Sequence, residues 1–250
     1  TVTNGLGINP VVKKQSITSD GTTILGADDK SGLAIILETL EVLKKKKLYH
    51  YNIEAAITTC EEIGLLGAKF LDYSLLNSKQ GIVLDSTSPE RLVYKGPSSD
   101  YFNIIVQGVE AHSGINPEKG ISSIAASAEI ISKMKTGRIN SNTTINIGKI
   151  SGGSAINIVP GKTVISCEIR SHNEKTIKTE INKIKKLIEN VNKKYKKINK
   201  KFNAKIKIER IYDSINIPKD SLIIKNILRT CKEHGYKINL VETGGGADAN

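Results

Sequence analysis

Acidic side chains in three separate stretches of this sequence stand where a single piece of chemistry could use them together. Asp28 and Asp29 lie in Gly26-Ala27-Asp28-Asp29-Lys30-Ser31-Gly32, Glu61 and Glu62 in Cys60-Glu61-Glu62-Ile63-Gly64, and Asp85 closes Gly81-Ile82-Val83-Leu84-Asp85. Taken singly, an Asp before a helix is a cap, and a Glu pair after a strand is exposed loop. Taken together they are carboxylates at one edge of a sheet, where ligands of open α/β sheets bind. Carboxylates converging there repel one another unless a cation neutralises them, so a metal centre is the physical solution. Glu61 beside Glu62 would let one carboxylate bind metal while its neighbour moves a proton.

Hydrophobic periodicity supplies the frame. Leu33, Ile36, Leu37, Leu40 and Leu43 fall at helical spacing and predict an amphipathic helix from about Ser31 to Lys47. Ile53 to Cys60 and Gly81 to Asp85 read as short buried strands, with a helix near Leu65 to Leu71 between them. Strand, helix, strand in that order predicts a parallel sheet covered by helices. Further on, strands at Tyr101 to Gly108, Thr143 to Ile150, Thr163 to Ser171 and Ala204 to Ile211 interleave with helices at Ile121 to Met134 and Glu174 to Asn199. That order, β-α-β-β-α-β, is the ferredoxin-like arrangement. A helix near Leu222 to His234 and a strand at Ile238 to Glu242 suit the first domain again. The fold expected is therefore α/β: a discontinuous domain of residues 1–91 and 211–250, with a small α+β domain, 92–210, inserted into it.

Composition narrows the function classes. The chain has 250 residues, 38% hydrophobic and 25% charged, which is ordinary for a soluble globular protein. No apolar run approaches the roughly 18 residues of a membrane span, and Thr1 to Pro10 carry no secretory signal pattern. Cys60, Cys167 and Cys231 are too few and scattered for a disulfide framework, which suits reduced thiols and a cytoplasmic location. Lysine and arginine, 37 against 25 acidic residues, leave a net charge of +12. The lysines gather at helix ends, Lys44 to Lys47 and Lys193 to Lys201, almost without interleaved aromatics. Solvated surface explains them better than a nucleic-acid footprint.

With these motifs assembled, the sequence resembles a known family. Gly26 to Gly32, Glu61-Glu62-Ile63-Gly64, Leu84-Asp85, Ala111-His112-Ser113-Gly114 and Gly152-Gly153-Ser154-Ala155-Ile156-Asn157-Ile158-Val159-Pro160 look like those of the co-catalytic dizinc metallopeptidases of the peptidase T type. That group also holds carboxypeptidase G and succinyl-diaminopimelate desuccinylase. The resemblance implies a zinc-binding α/β domain with a ferredoxin-like insert that dimerises, hence a homodimer. It implies two zinc ions per complete subunit, with cobalt or manganese as substitutes: Asp28 bridging both, Glu62 on one and Asp85 on the other. Glu61 would be the general base, and Asp29 would follow Asp28 through a non-proline cis peptide. His112 would stabilise the oxyanion in the partner subunit's active site. Asn157 and Arg170 would hold the substrate's backbone and carboxylate. His50, His172 and His234 are left for surface positions.

The stretch Asp20 to Lys30 and the run Gly137 to Ser141 point, within that family, to an aminopeptidase acting on short peptides, tripeptides first. A carboxypeptidase or N-acyl amino-acid deacylase keeps the chemistry with another substrate, and a non-enzymatic basic binding or dimerisation module is the alternative from a different class. Thr1-Val2 is similar to the tail of a His-x-Asp-Thr-Val segment. Gly244-Gly245-Gly246-Ala247-Asp248-Ala249-Asn250 is similar to a Gly-Gly-Ser-Asp-Ala-Asn loop that precedes a last zinc-binding His. Both imidazole ligands fall outside the sequence, so the expectation is a fragment lacking both terminal segments and nearly inactive by itself.

Overall fold

The computed structural model describes residues 5–250, so Thr1 and Val2, with the motif tail expected there, lie outside the described residues. The chain divides into two compact units, one running to Arg91 and the other comprising Leu92–Asp248 with Asn250.

The first unit begins with a small antiparallel hairpin, β1 (Pro10–Val12) and β2 (Ile17–Ser19). Helix α1 (Lys30–Lys46) follows, within one residue of its predicted ends. Asp29 caps it, accepting from the Gly32 amide, and Lys44, Lys45 and Lys46 set positive charge on its C-terminal dipole. A 3₁₀ turn, Glu61–Ile63, leads into the single-turn helix α2 (Leu66–Lys69). The strands expected at Ile53 to Cys60 and Gly81 to Asp85 are not formed: both segments lack ladder partners. Ile53, Ile57, Ile82, Val83 and Leu84 are all exposed. A β-prone composition yields a strand only where neighbours take up its backbone groups, and none of the described strands does so here.

The second unit holds strands β3 (Arg91–Gly96) and β4 (Ser98–Gln107), then helix α3 (Ser123–Lys133). Strands β5 (Gly137–Asn140), β6 (Thr143–Gly152) and β7 (Lys162–Ser171) precede the long helix α4 (Glu174–Lys196). Strand β8 (Asn203–Tyr212), β9 (Ile215–Asn216), helix α5 (Leu222–Glu233) and β10 (Asn239–Glu242) complete it. The main sheet runs β5-β6-β7-β4-β8 and is antiparallel throughout. Without the short edge strand β5, this is the β-α-β-β-α-β unit predicted from the sequence. A second sheet runs β10-β3-β9. It ties β9 and β10 to Leu92–Asp248, whereas the sequence grouping sets 211–250 with 1–91.

Burial follows the two-residue period of the strands and the helical stripe of α4. Phe102, Ile104 and Val106 of β4, Ile165 and Ile169 of β7, Ile130 of α3 and Ile177, Ile184 and Ile188 of α4 form one core. Arg210 locks its rim, with a bidentate pair to Glu174 at 2.9 and 2.7 Å and further bonds to Asp213 and Asp100. No helix among the described residues is long and apolar enough to cross a membrane.

Glu129 links the two helices of this core, bonding Lys133 at 2.9 Å within α3 and Lys194 of α4 at 2.7 Å. Hydrogen bonds from Lys133 and Lys194 hold its carboxyl at about 2, against an ordinary 4.5. A carboxylate depressed by folding adds stability above its unfolded pKa, and that stability is lost as the pH falls from about 4.5 towards about 2. Solvent screening limits the contribution to at most about 1 kcal/mol. Glu129→Gln is expected to flatten this part of the acid-unfolding curve followed by circular dichroism. Superimposable curves for the two proteins would show that the bridge adds nothing.

Candidate metal centre and substrate residues

Helix α1 starts where two carboxylates are needed. Asp29 accepts from the Gly32 amide at 3.1 Å, which fixes the first turn. Gly32 is buried, and a Cβ there would meet the Leu84 carbonyl oxygen at 2.5 Å as well as the Asp29 carboxylate. The first turn of α1 therefore rests directly on the backbone of Leu84-Asp85, an approach that only glycine allows. It brings Asp28, Asp29 and Asp85 together, with one carboxylate oxygen of each lying within 4.8 Å of those of the other two. The Asp28–Asp29 peptide is cis.

Three carboxylates so placed repel one another. Asp85 is half-buried, and its carboxyl is pushed up to about 6, first by burial and then by the negative charges of Asp28 and Asp29, with Glu62 adding a smaller push. Lysine does not relieve the crowding. Lys30, next in sequence, turns back to the Gly26 carbonyl at 3.0 Å, and among the described residues none of the three acids forms an ion pair. An all-oxygen anionic set, partly desolvated and unpaired, fits a divalent cation. Glu62 stands outside the group of three, although its charge reaches Asp85. The loop that carries Glu61 and Glu62 is tightly turned: Cys60, Gly64 and Leu65 have φ of 61°, 101° and 57°, and the Gly67 amide bonds Thr59 O at 2.9 Å.

In the second unit, the stretch around His112 lies along the stretch around Asn157. His112 bridges Ile158 in antiparallel fashion, Ser113 N bonds Asn157 O at 3.0 Å and Val159 N bonds Ala111 O at 2.9 Å. The exposed His112 ring accepts from the Gly114 amide at Nδ1, 3.2 Å. In the neutral ring that bond assigns the proton to Nε2, which then points a donor outward. Asn157 is exposed too. Arg170 lies on β7, with Nε bonded to Glu168 at 2.7 Å and Nη1 to the Gly244 carbonyl at 3.3 Å. Asp248 is half-buried in the glycine-rich terminal stretch. Asn250 pins that stretch through the carbonyls of Pro97 and Asp213.

Some placements differ from the sequence reading. His50 and His234 are exposed, but the His172 side chain is only 9% exposed and stands 3.8 Å from Glu242, because β7 carries it in beside the smaller sheet. Asp29 is part of the carboxylate group as well as the helix cap. The structure adds roles for Gly32 and Glu168 that the sequence does not assign. For Gly32 the available signal was a glycine in the first turn of a helix that otherwise favours other residues. For Glu168 it was the Glu-x-Arg spacing, which puts both side chains on one face of a strand. Cys60, Cys167 and Cys231 are free thiols.

In comparison with known proteins, the chain is similar to peptidases. Residues 98–196 match the model of a peptidase dimerisation domain, and residues 9–112 match that of an M42 glutamyl aminopeptidase. The uncharacterised protein YqjE of Bacillus subtilis is 37% identical over all of this chain, which covers 66% of that protein. The crystal structure of aminopeptidase PepT from Bacillus cereus superposes with a TM-score of 0.82 at 39% identity, covering 98% of this chain and 64% of that one. A tripeptidase from Staphylococcus aureus gives 0.85 at 36% identity, over 96% of this chain and 64% of that one. The chain thus spans about two thirds of the length of these relatives.

The seat of α1 can be tested by stability alone. Helix propensity credits a glycine-to-alanine change in a helix with a gain of roughly 0.5–1 kcal/mol. The Leu84 contact predicts the reverse for Gly32→Ala, a net loss of stability in denaturant titration. A higher unfolding midpoint would show that α1 does not need this close approach.

Proposed function

Because this chain belongs to the peptidase T-like members of the M20 peptidase family, we propose that its activity is metal-dependent hydrolysis of short peptides, with release of the N-terminal residue and tripeptides as the preferred substrates. The observation that carries this reading is the unpaired group Asp28, Asp29 and Asp85, with Asp85 pushed up to about 6. Asp28 and Asp85, joined by Glu62, would hold two zinc ions, which cobalt or manganese could replace. When bound, divalent ions polarise a scissile carbonyl and make the attacking water more acidic.

The chain's own residues supply the rest. Glu61 takes a proton from the attacking water and later delivers it to the departing amine, the work of a general base and then a general acid. His112 donates from Nε2 to the oxygen of the scissile carbonyl as negative charge gathers there. We assign His112 to the active site of a partner subunit, with the dimerisation domain of the second unit making the homodimer. Asn157 orients the substrate backbone and Arg170 its carboxylate, for which a guanidinium fork is suited. Residues 1–91 and 211–250 are proposed to act as the catalytic domain, 92–210 as the dimerisation domain, and the cytoplasm as the place of action. The similarity to an aminopeptidase and a tripeptidase supports the choice of substrate.

Activity measured on the full-length protein should be abolished by a chelator and restored by zinc, cobalt or manganese. Glu61→Gln is expected to keep its metal, measured by atomic emission, and to lose about 10²–10⁴-fold in kcat. Unchanged turnover would remove Glu61 from its role. A free tripeptide should be cleaved and its N-acetyl form left intact, because acetylation removes the charge that an α-amine site pairs. Equal cleavage of both would favour the deacylase or carboxypeptidase alternative.

A further inference from the structure

Strand β7 alternates strictly. Thr163, Ile165, Cys167, Ile169 and Ser171 are buried towards the helices, so Glu168 and Arg170 share the opposite face. In register with them, Ser99 of β4 pairs with Arg170, and Tyr212 of β8 pairs with Ser99, giving one row across three strands. From the next row on the same face, where Glu168 stands opposite Tyr101, its Oε1 accepts twice, from Ser99 Oγ at 2.8 Å and from Arg170 Nε at 2.7 Å. Arg170 Nη1 gives a bond to Gly244 O at 3.3 Å. The glycine run that offers this carbonyl lies flat on Tyr212, since a Cβ on Gly246 would stand 2.6 Å from the ring. Nη2 has no hydrogen-bond partner among the described residues.

We propose that Glu168 is the positioning residue for Arg170: anchored by Ser99, it holds the Nε edge of the guanidinium so that Nη2 is presented to the carboxylate of a peptide substrate. The inference rests on Arg170 being the carboxylate-binding residue. A long arginine left to itself samples many rotamers, and fixing one edge beforehand reduces the ordering that binding requires. Glu168 touches no substrate. It accepts a charge-assisted hydrogen bond on the side of Arg170 that substrate does not use.

Steady-state kinetics on the full-length protein test this with a tripeptide and its C-terminally amidated form. Glu168→Ala is expected to raise KM for the free-carboxylate peptide by about tenfold, the loss of one bond to a charged group, with kcat changed less than about threefold. KM for the amide should stay level. Glu168→Gln keeps an acceptor for both Arg170 and Ser99, and it should restore KM to within about threefold of the parent. Ser99→Ala, milder for the fold, should raise KM in the same direction by a smaller factor. If Arg170→Ala does not separate the two peptides, the carboxylate reading of Arg170 fails. If Arg170→Ala separates them but Glu168→Ala and Ser99→Ala leave KM unchanged, or Glu168→Gln behaves like Glu168→Ala, the positioning role is overturned and the reading of Arg170 stands.

Discussion

The candidate centre depends on one backbone contact, the first turn of α1 resting on the carbonyl of Leu84. Without a side chain at position 32, the helix start and the Leu84-Asp85 segment approach closely enough for Asp28, Asp29 and Asp85 to share one small volume. Two unit charges about 4 Å apart interact by about 1 kcal/mol in water, and by about 4 kcal/mol at the effective dielectric of a protein surface. Asp85 answers by holding its proton to about 6. Packing thus imposes an electrostatic conflict that the three acids would avoid if they were free to move apart, and a divalent cation removes that conflict.

The second unit works by separating two faces of one sheet. Its helix-covered face is mainly apolar, with Phe102, Ile104, Ile165 and Ile169 fully or almost fully buried and Thr163 and Ser171 buried beside them. The open face carries polar groups in register, and the strand period of two residues keeps the two sets from mixing. Glu168 and Arg170 can therefore bond each other without disturbing the core beneath them. The loops of His112 and Asn157 are held differently, by backbone hydrogen bonds between the two stretches. Their side chains are left exposed for whatever meets them.

The sequence made the β-α-β-β-α-β part of the second unit readable, whereas β3, β5 and β9 were not expected from it. Its strands alternate, its helices carry clean apolar stripes, and every pairing lies between elements present in the chain. Residues 53–60 and 81–85 have strand-like sequences and are not strands in the structure, for a related reason. Their β-branched composition is real, but composition states only what a segment would do beside suitable neighbours. Asp28 and Asp29 are marked by the helix start that follows them, whereas Glu61, Glu62 and Asp85 were placed by strands that do not form, and of these three only Asp85 joins the group. Gly32 escaped notice because a glycine in a helix reads as a small penalty until the carbonyl it accommodates is known. Glu168 escaped because its role is a bond to another side chain, and Glu-x-Arg is common on exposed strands. The burial of His172 is not legible in the sequence, because it lies beside Glu242 of a smaller sheet assembled from distant strands, β3, β9 and β10.

Neighbours, rather than net charge, decide what each acid in this basic chain does. Glu129 is held at about 2 by lysines, and Glu54 at about 2 by the Ser78 hydroxyl and the backbone amides of Asn77 and Ser78. With 37 basic residues against 25 acidic ones, a carboxylate exposed at random has cations within easy reach. Among the described residues Asp28, Asp29 and Asp85 sit together without an ion-pair partner, and the nearest lysine in sequence is bonded to a backbone carbonyl instead. Such a pocket of negative potential runs against the charge of the whole molecule, and backbone packing must therefore maintain it. That is the arrangement expected where a mobile cation, and not a lysine, is to supply the positive charge.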